Sequence, residues 1–343
     1  MQILIAILAL TVAAGAYAYL AYDRFLSTPV TPPGGKAVFE VKRGTTLRTL
    51  ARQLDEAGII EDVEVPVAGS LFYLWAHWIQ GVGSQIKAGE YLFEGPRTPS
   101  AVLQALTSGR VRTYRITIPE GLRLDEVAQL YERAGLASAS ELMRLARDPA
   151  FAQSLGVPHD SLEGYLFPDT YTFARGVPAR RILRRMVERF EEAWKEAERH
   201  RRPEVTLSKH EAVTLASIIE KETGAAEERR RISCVFHNRL RDGWKLQTDP
   251  TVIYAKILRG AWDGNITKAD LRYPHPYNTY TTPGLPPGPI ASPGLEALIA
   301  AVDPSECGDY FFVSRNDGTH VFCPTLECHN RAVDRFQRRR RAK

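Results

Sequence analysis

The stretch "LASIIEKETG", Leu215 to Gly224, runs an apolar segment into two glutamates, Glu220 and Glu222, with one lysine between them. Upstream, Ser208 and Glu211 stand at the spacing of a capping box, so "SKHEAVTLASIIEKETG" predicts one helix from Ser208 to Thr223 that Gly224 stops. At the helical period, positions 220 and 222 point about 200° apart, so the two carboxyls face opposite sides and cannot work as a coupled pair. Glu220 shares a face with Val213, Ala216 and Ser217, and Glu222 shares one with Leu215, Ile218 and Ile219. Periodicity does not choose between them. A carboxyl packed against such a wall resists ionisation, because desolvation disfavours the charged form, and a general acid needs this near neutral pH. The competing reading is a surface glutamate at a helix end.

Outward from that helix, the pattern is mixed α+β. The 343 residues, 44% hydrophobic and 25% charged, are enough for one large or two medium domains with an ordinary core. "AVFEVKRG" reads as a strand and turn, and "TTLRTLARQLDEAGII" sets Leu47, Leu50, Ala51 and Leu54 at helical spacing with Gly58 as C-cap. An apolar helix around "SLFYLWAHWIQ", a strand "IKAGEYLFEG" and a helix opened by Thr98-Pro99 complete a small α+β unit over 36–112. From 113 to 335 a larger region follows, with helices predicted at Leu124 to Gly135, Ser138 to Gly156 (capping box Ser138 to Glu141), Ala179 to Arg199 and the one quoted first. The Ile182, Met186 and Phe190 stripe is a packing face. "YPHPYNTYTTPGLPPGPIASPG" holds seven prolines and reads as a long ordered loop of the kind that lines sites.

The N-terminus carries no charge from Gln2 to Tyr22, and a helix of that length rises about 30 Å, so residues 1–22 are expected to be a transmembrane anchor. A cleaved signal peptide is the alternative, since Ala14-Gly15-Ala16 and Ala16-Tyr17-Ala18 fit a cleavage site, but the run exceeds a usual h-region of about 7 to 15 residues. Arg24, Lys36, Lys42 and Arg43 follow the span, so the positive-inside rule does not support export of the body. Residues 23–35, with "STPVTPPGG", form an extended linker. The net charge of +5 is concentrated in 336–343, a basic tail, which removes the case for a nucleic-acid partner. Cys307, Cys323 and Cys328 cluster near the C-terminus; the expectation is one disulfide within that cluster. "HVFCPTLECH" offers zinc-capable types at a spacing that matches no standard site, so no metal and no other cofactor is expected.

"HEAVT" begins like H-E-x-x-H, but Thr214 stands where the second histidine belongs, and the chain has neither G-x-S-x-G nor a phosphate-binding P-loop. What remains is a carboxyl site with short polar and aromatic neighbours. "NRLRDGWKLQTDPTVIY" supplies Asn238, Gln247, Thr248 and Asp249, and "YNTYTTPG" supplies Asn278, Thr279, Tyr280 and Thr282. Such groups suit the hydroxyls, N-acetyl groups and ring faces of a glycan. Asp249 before Pro250 also reads as a helix N-cap, and in "EGYLFPDTY" Glu163 and Asp169 read as substrate contacts or, for Asp169, as a turn residue.

"LASIIEKET", "RRRISCVFHNRLRDGWKLQTDPTVIYA" and "NTYTTPGLPPGPIASPG", with "TIPEG", "EGYLFPDTY" and "HNRAV" in order, closely resemble the endolytic murein transglycosylases, the MltG or YceG-like family, over essentially the whole chain. The resemblance implies a single-pass protein of the cytoplasmic membrane with its body on the outer, periplasmic side. It further implies a LysM-like subdomain at 36–112 and a catalytic domain at 113–335. In the family the first glutamate of the triplet is the catalytic one, so the resemblance puts the acid at Glu220 and treats Glu222 as structural. The implied reaction cleaves the MurNAc–GlcNAc bond within nascent glycan strands and leaves 1,6-anhydro ends. Glycan strands, the membrane and peptidoglycan synthases are the implied partners. A non-catalytic wall-binding or scaffolding protein is the alternative, and a hydrolase using Glu220 with Asp249 a third reading.

Overall fold

The computed structural model describes residues 2–65, 69–82, 84–222 and 224–338, with the side chains at 2–4 and 6 outside the description. The chain divides into two units, Met1–Tyr114 with Thr172–Gly176, and Arg115–Tyr171 with Val177–Lys343. The first begins with α1 (Gln2–Ser27), β1 (Lys36–Val41), α2 (Leu47–Glu56), β2 (Glu64–Val65), β3 (Gly69–Ser70), α3 (Leu71–Leu74), β4 (Gly89–Glu94) and α4 (Pro99–Ser108). β1 pairs antiparallel with β4, from Lys36 opposite Glu94 to Val41 opposite Gly89. Thr46 and Thr98 cap α2 and α4 by accepting from the third amide along, and Pro99 sits where no amide proton is needed. Leu50, Leu54, Phe72, Trp75, Tyr91, Phe93 and Leu106 make the core, which Phe25 of α1 joins.

Further back along α1, Ile5, Ile7, Leu8, Leu10, Val12, Tyr17, Tyr19 and Leu20 are exposed. The expected span begins at Gln2 and so includes side chains outside the description; among the described residues no helix is long and apolar enough to cross a membrane. Thr223, the expected end of the central helix, and 339–343 of the basic tail also lie outside the described residues.

β5 (Thr113–Thr117) leads to α5 (Leu124–Arg133), α6 (Ala139–Ala146) and α7 (Pro149–Ser154), and then to β6 (Thr170–Ala174), which pairs with β5. The single helix expected from Ser138 to Gly156 is therefore two. Pro149 lacks the amide proton that a continuous helix would use there, and Asp148 caps the second piece by accepting from Ala150. Nor does Ser138 cap α6: its hydroxyl meets Ser140, and Glu132 takes the Ala139 amide. After α8 (Ala179–Glu198) come α9 (Lys209–Glu222), α10 (Arg229–Arg241), α11 (Asp249–Leu258), α12 (Lys268–Arg272), α13 (Leu295–Val302), the hairpin β7 (Phe311–Ser314) and β8 (His320–Cys323), and α14 (Leu326–Val333).

α8 buries Ile182, Met186, Phe190 and Trp194 as one stripe, each worth about 1.5–3 kcal/mol of apolar burial. α9 is different: every residue from Ala212 to Ile219 is buried, because α13 packs along it and α10 and α11 also contact it. The Ser208 and Glu211 box forms as spaced, with Glu211 accepting from the Ser208 amide at 2.8 Å and Ser208 from the Glu211 amide at 3.3 Å. Enclosed all round, α9 can present polar groups only near its two ends.

Two disulfides, Cys234–Cys307 and Cys323–Cys328, tie α10 to the segment after α13 and β8 to α14. The expectation of a bridge within the C-terminal cluster is met for two of its members, while Cys307 pairs outside it. Cys234 lies far back in sequence, and only the packing of α10 beside α13 brings the two together. The zinc-capable sulfurs of Cys323 and Cys328 are bonded to each other. Chain-entropy arguments give about 4 kcal/mol for closing a loop of 73 residues and about 2 kcal/mol for one of 5.

Candidate active site

The last turn of α9 separates its two carboxyls as the helical period requires. On one side, Glu220 Oε2 accepts from the Gly294 amide at 3.1 Å, and Oε1 lies 3.6 Å from the Arg229 guanidinium. Glu120 also reaches Arg229, at 3.9 Å, and sits so close over Gly294 that a Cβ there would fall 1.9 Å from its Oε1. Lys221 donates to the Gly121 carbonyl at 3.1 Å, and Gly121 and Ser292 share a backbone bond of 2.8 Å. Burial raises the Glu220 carboxyl above its ordinary value; the Gly294 amide opposes this, Glu120 adds to it, and Arg229 and Lys221 oppose it. "TIPEG" and "SPG" thus converge on Glu220 through backbone contacts and ion pairs.

On the other side, Glu222 lines a cavity of about 480 Å³ together with Arg239, Gln247, Asp249, Tyr280 and His329. Glu220 is not among the described residues that line it. The Glu222 carboxyl end is enclosed even though the residue as a whole is only half-buried, and burial pushes it up to about 7. Asp249 pushes the same way by repulsion, while Thr248 and Arg239 push down. The Thr248 hydroxyl is close enough for that influence, but it makes no hydrogen bond of ordinary geometry among the described residues. Arg239 is fixed by donating to the Tyr310 carbonyl at 2.8 Å and the Leu246 carbonyl at 2.6 Å.

The expected sugar-contacting residues separate into three groups. Gln247, Asp249 and Tyr280 reach the cavity, and the Tyr280 hydroxyl donates to Asp249 Oδ1 at 2.7 Å. Asp249 is the first residue of α11 and Thr248 is its N-cap position, so Asp249 does not serve as the cap. Gln247 holds φ at 52°, a left-handed conformation that costs a non-glycine residue about 1–3 kcal/mol, and its amide donates to the Thr279 carbonyl at 3.2 Å.

Thr248, Asn278, Thr279 and Thr282 are not among the described residues that line the cavity; the first three bond the segments that do. Thr279 Oγ1 accepts from the Thr248 amide at 3.0 Å and meets Thr251 Oγ1 at 2.8 Å. Asn278 donates to the carbonyls of Asp270 and Tyr273 and accepts from the Tyr280 amide at 2.9 Å, which aims that ring. Thr282 donates to the His275 carbonyl at 3.2 Å.

Asn238 forms the third group alone. It donates to the carbonyls of Cys307 and Asp309 and borders a separate cavity of about 550 Å³ beside the Cys234–Cys307 bridge. Its side chain faces the loop after α13, which leaves it outside the Glu222 cavity. Glu163 and Asp169 also serve the scaffold. Glu163 is buried, accepts from the Leu124 amide and the Tyr254 hydroxyl, and is pushed by burial to about 7; Asp169 pairs with Arg189 at 2.7 Å. Arg239 and His329 were not among the expected site residues. The spacing of "HNRL" on α10 gives no sign that Arg239 turns toward α9, and only the "HNRAV" motif marked His329.

Residues 39–335 match the sequence profile of the YceG-like family. The chain belongs to that family. It is 29% identical over 334 residues to an endolytic murein transglycosylase of Bacillus subtilis strain 168, covering 92% of this chain and 89% of that one. It is 27% identical over 325 residues to an endolytic murein transglycosylase of Streptococcus pneumoniae serotype 2, spanning 85% of this chain but 57% of that protein. A crystal structure of a YceG-like protein from Listeria monocytogenes superposes with a TM-score of 0.56 at 29% identity, covering 86% of this chain and 98% of that one.

Proposed function

We propose that this chain is an endolytic murein transglycosylase that cleaves the MurNAc–GlcNAc bond within nascent glycan strands, with Glu222 as its acid and base. The observation that carries the reading is a carboxyl raised to about 7 on the wall of a cavity that also presents Gln247, Asp249 and Tyr280. The relatives named for this activity align over nearly the full chain. Protonated Glu222 gives its proton to the leaving glycosidic oxygen as the bond to C1 breaks. As a carboxylate it then removes the proton of the muramoyl C6 hydroxyl, whose oxygen bonds to C1 and closes the 1,6-anhydro ring. One carboxyl suffices because no water is activated, unlike in a hydrolase, which needs two working carboxyls. Asp249, on the same wall, supplies negative charge against the positive charge that develops at C1.

Glu220 is the second reading, since the resemblance puts the acid there and burial raises its carboxyl too. Against it, Arg229 and the Gly294 amide both stabilise its ionised form, the wrong state for an acid. The test is mass spectrometry of peptide-free glycan strands treated with wild type, Glu222→Gln and Glu220→Gln. Loss of 1,6-anhydro ends in Glu222→Gln alone supports the proposal. Wild-type release by that variant sinks it, reducing ends in place of anhydro ends indicate a hydrolase, and no products from wild type indicate a wall-binding protein.

The wider setting is part of the same proposal. The exposed apolar side chains of α1 support a single-pass anchor in the cytoplasmic membrane, and the two disulfides support a body on the oxidising outer side. The antiparallel pair β1 and β4, with α2 and α3 between them in sequence, supports reading 36–112 as a LysM-like subdomain and 113–335 as the catalytic one. Termination of glycan elongation beside peptidoglycan synthases follows as the role in the cell.

A further inference from the structure

We propose that Trp244, Tyr310 and Phe311 form a sugar-stacking subsite that extends the Glu222 cavity and holds a pyranose ring of the glycan strand away from the bond that is cut. This rests on the transglycosylase reading for its substrate, but its geometry stands separately. α10 ends at Arg241, and Gly243, at φ 70°, turns the chain back so that the Trp244 amide donates to the Arg239 carbonyl at 2.7 Å. The turn leaves the indole 45% exposed, a large apolar surface facing solvent next to a polar cavity.

The three rings touch one another and reach the cavity through Phe311. Trp244 lies 5.1 Å from the Tyr310 ring and 5.9 Å from Phe311, and Phe311 lies 5.2 Å from the His329 ring. Phe311 and His329 both line the cavity. The Tyr310 hydroxyl is held by donating to Asp242 and accepting from Arg241 at 3.2 Å, and the Arg239 guanidinium lies 5.4 Å from the Phe311 centroid. A pyranose offers an apolar C–H face and a polar rim, and an exposed indole beside the Tyr310 hydroxyl with its Asp242 and Arg241 partners matches both.

A second observation points to an occupant. Nδ1 of His329 is buried without a hydrogen-bond partner among the described residues, on the cavity wall beside Phe311. Burial and Arg239 lower the His329 pKa, so the ring is neutral and one of its nitrogens can meet a sugar hydroxyl or acetamido group. A neutral polar ligand with an apolar face fits these groups better than a lipid surface or an acidic stem peptide does.

The test measures binding apart from chemistry. Full-length Glu222→Gln protein, with and without Trp244→Ala or Trp244→Phe, is titrated by calorimetry with peptide-free glycan strands and with chitohexaose. The expected result is about tenfold weaker strand binding with Trp244→Ala and near-full retention with Trp244→Phe, the size of one lost stacking contact. In the active enzyme Trp244→Ala is expected to raise KM for strands more than it lowers kcat. Equal affinities across the three proteins, or no binding by any, overturns the subsite. Trp244-dependent binding in a protein whose wild type releases no anhydro ends keeps the subsite and sinks the transglycosylase reading, whereas cleavage indifferent to Trp244 does the reverse.

Discussion

The two sides of the last turn of α9 carry the same residue type in opposite circumstances. Glu220 faces a guanidinium and a backbone amide. Glu222 faces a second carboxylate, an arginine already committed to two carbonyls, and an open cavity. Burial raises both carboxyls, so a perturbed pKa does not by itself distinguish a working acid from a structural one. Access does. Glu163 makes the same point, since it too is raised to about 7 yet is buried against Leu124 and Tyr254.

The sharpest way to break the contrast is to remove each carboxyl in turn. Glu222→Gln is expected to lower release of anhydro ends by about 10²–10⁴-fold, the range for loss of general acid–base catalysis, and Glu220→Gln by less than about tenfold. The opposite order in timed product assays would return the acid to Glu220. Next in size is the scaffold carboxyl. Glu163 binds its proton up to about pH 7 in the folded protein against an ordinary value of 4.5, so the folded state holds more protons between those values and stability falls as pH rises through that window. The penalty, complete above about pH 7, is on the order of 3 kcal/mol. Denaturant unfolding in a Glu222→Gln background should show that slope, and Glu163→Gln should flatten it while anhydro-end release by the otherwise wild-type enzyme continues.

A smaller effect sharpens the Glu222 side alone. Asp249 repels the ionised form of Glu222, so Asp249→Asn should let Glu222 lose its proton more readily. The acid must be protonated to start the reaction, which gives kcat/KM an alkaline limb near pH 7 in wild type. In Asp249→Asn that limb is expected to move to lower pH. An unmoved limb would mean that Asp249 does not reach Glu222 electrostatically, and that burial alone holds the carboxyl up.

Much of this arrangement was legible before any coordinates. Capping boxes, helical spacing and glycine stops are local, so the span of α9, the cap at Thr98 and the stripe on α8 followed from neighbours in the chain. The break at Asp148-Pro149 was written in equally local terms but was outweighed by an apolar pattern that continued across it. The pairing of Cys234 with Cys307 was not legible, because 73 residues of packing decide it. Polar residues in one motif also looked alike: Thr248 and Asp249 are adjacent, yet one bonds to Thr279 and the other lines the cavity.

By itself the sequence determined that Glu220 and Glu222 sit at the end of one helix and point to opposite sides, since 3.6 residues per turn leaves no other outcome. Which side opens onto a cavity is a property of what packs there. Leu246 and Gln247, the latter bonded to Thr279, together with Tyr280 and the β7–β8 hairpin, come from other parts of the chain. They enclose space beside Glu222, while Glu120, Arg229 and Gly294 close around Glu220. Helical geometry split the pair, and only tertiary packing set one member on the wall of this cavity.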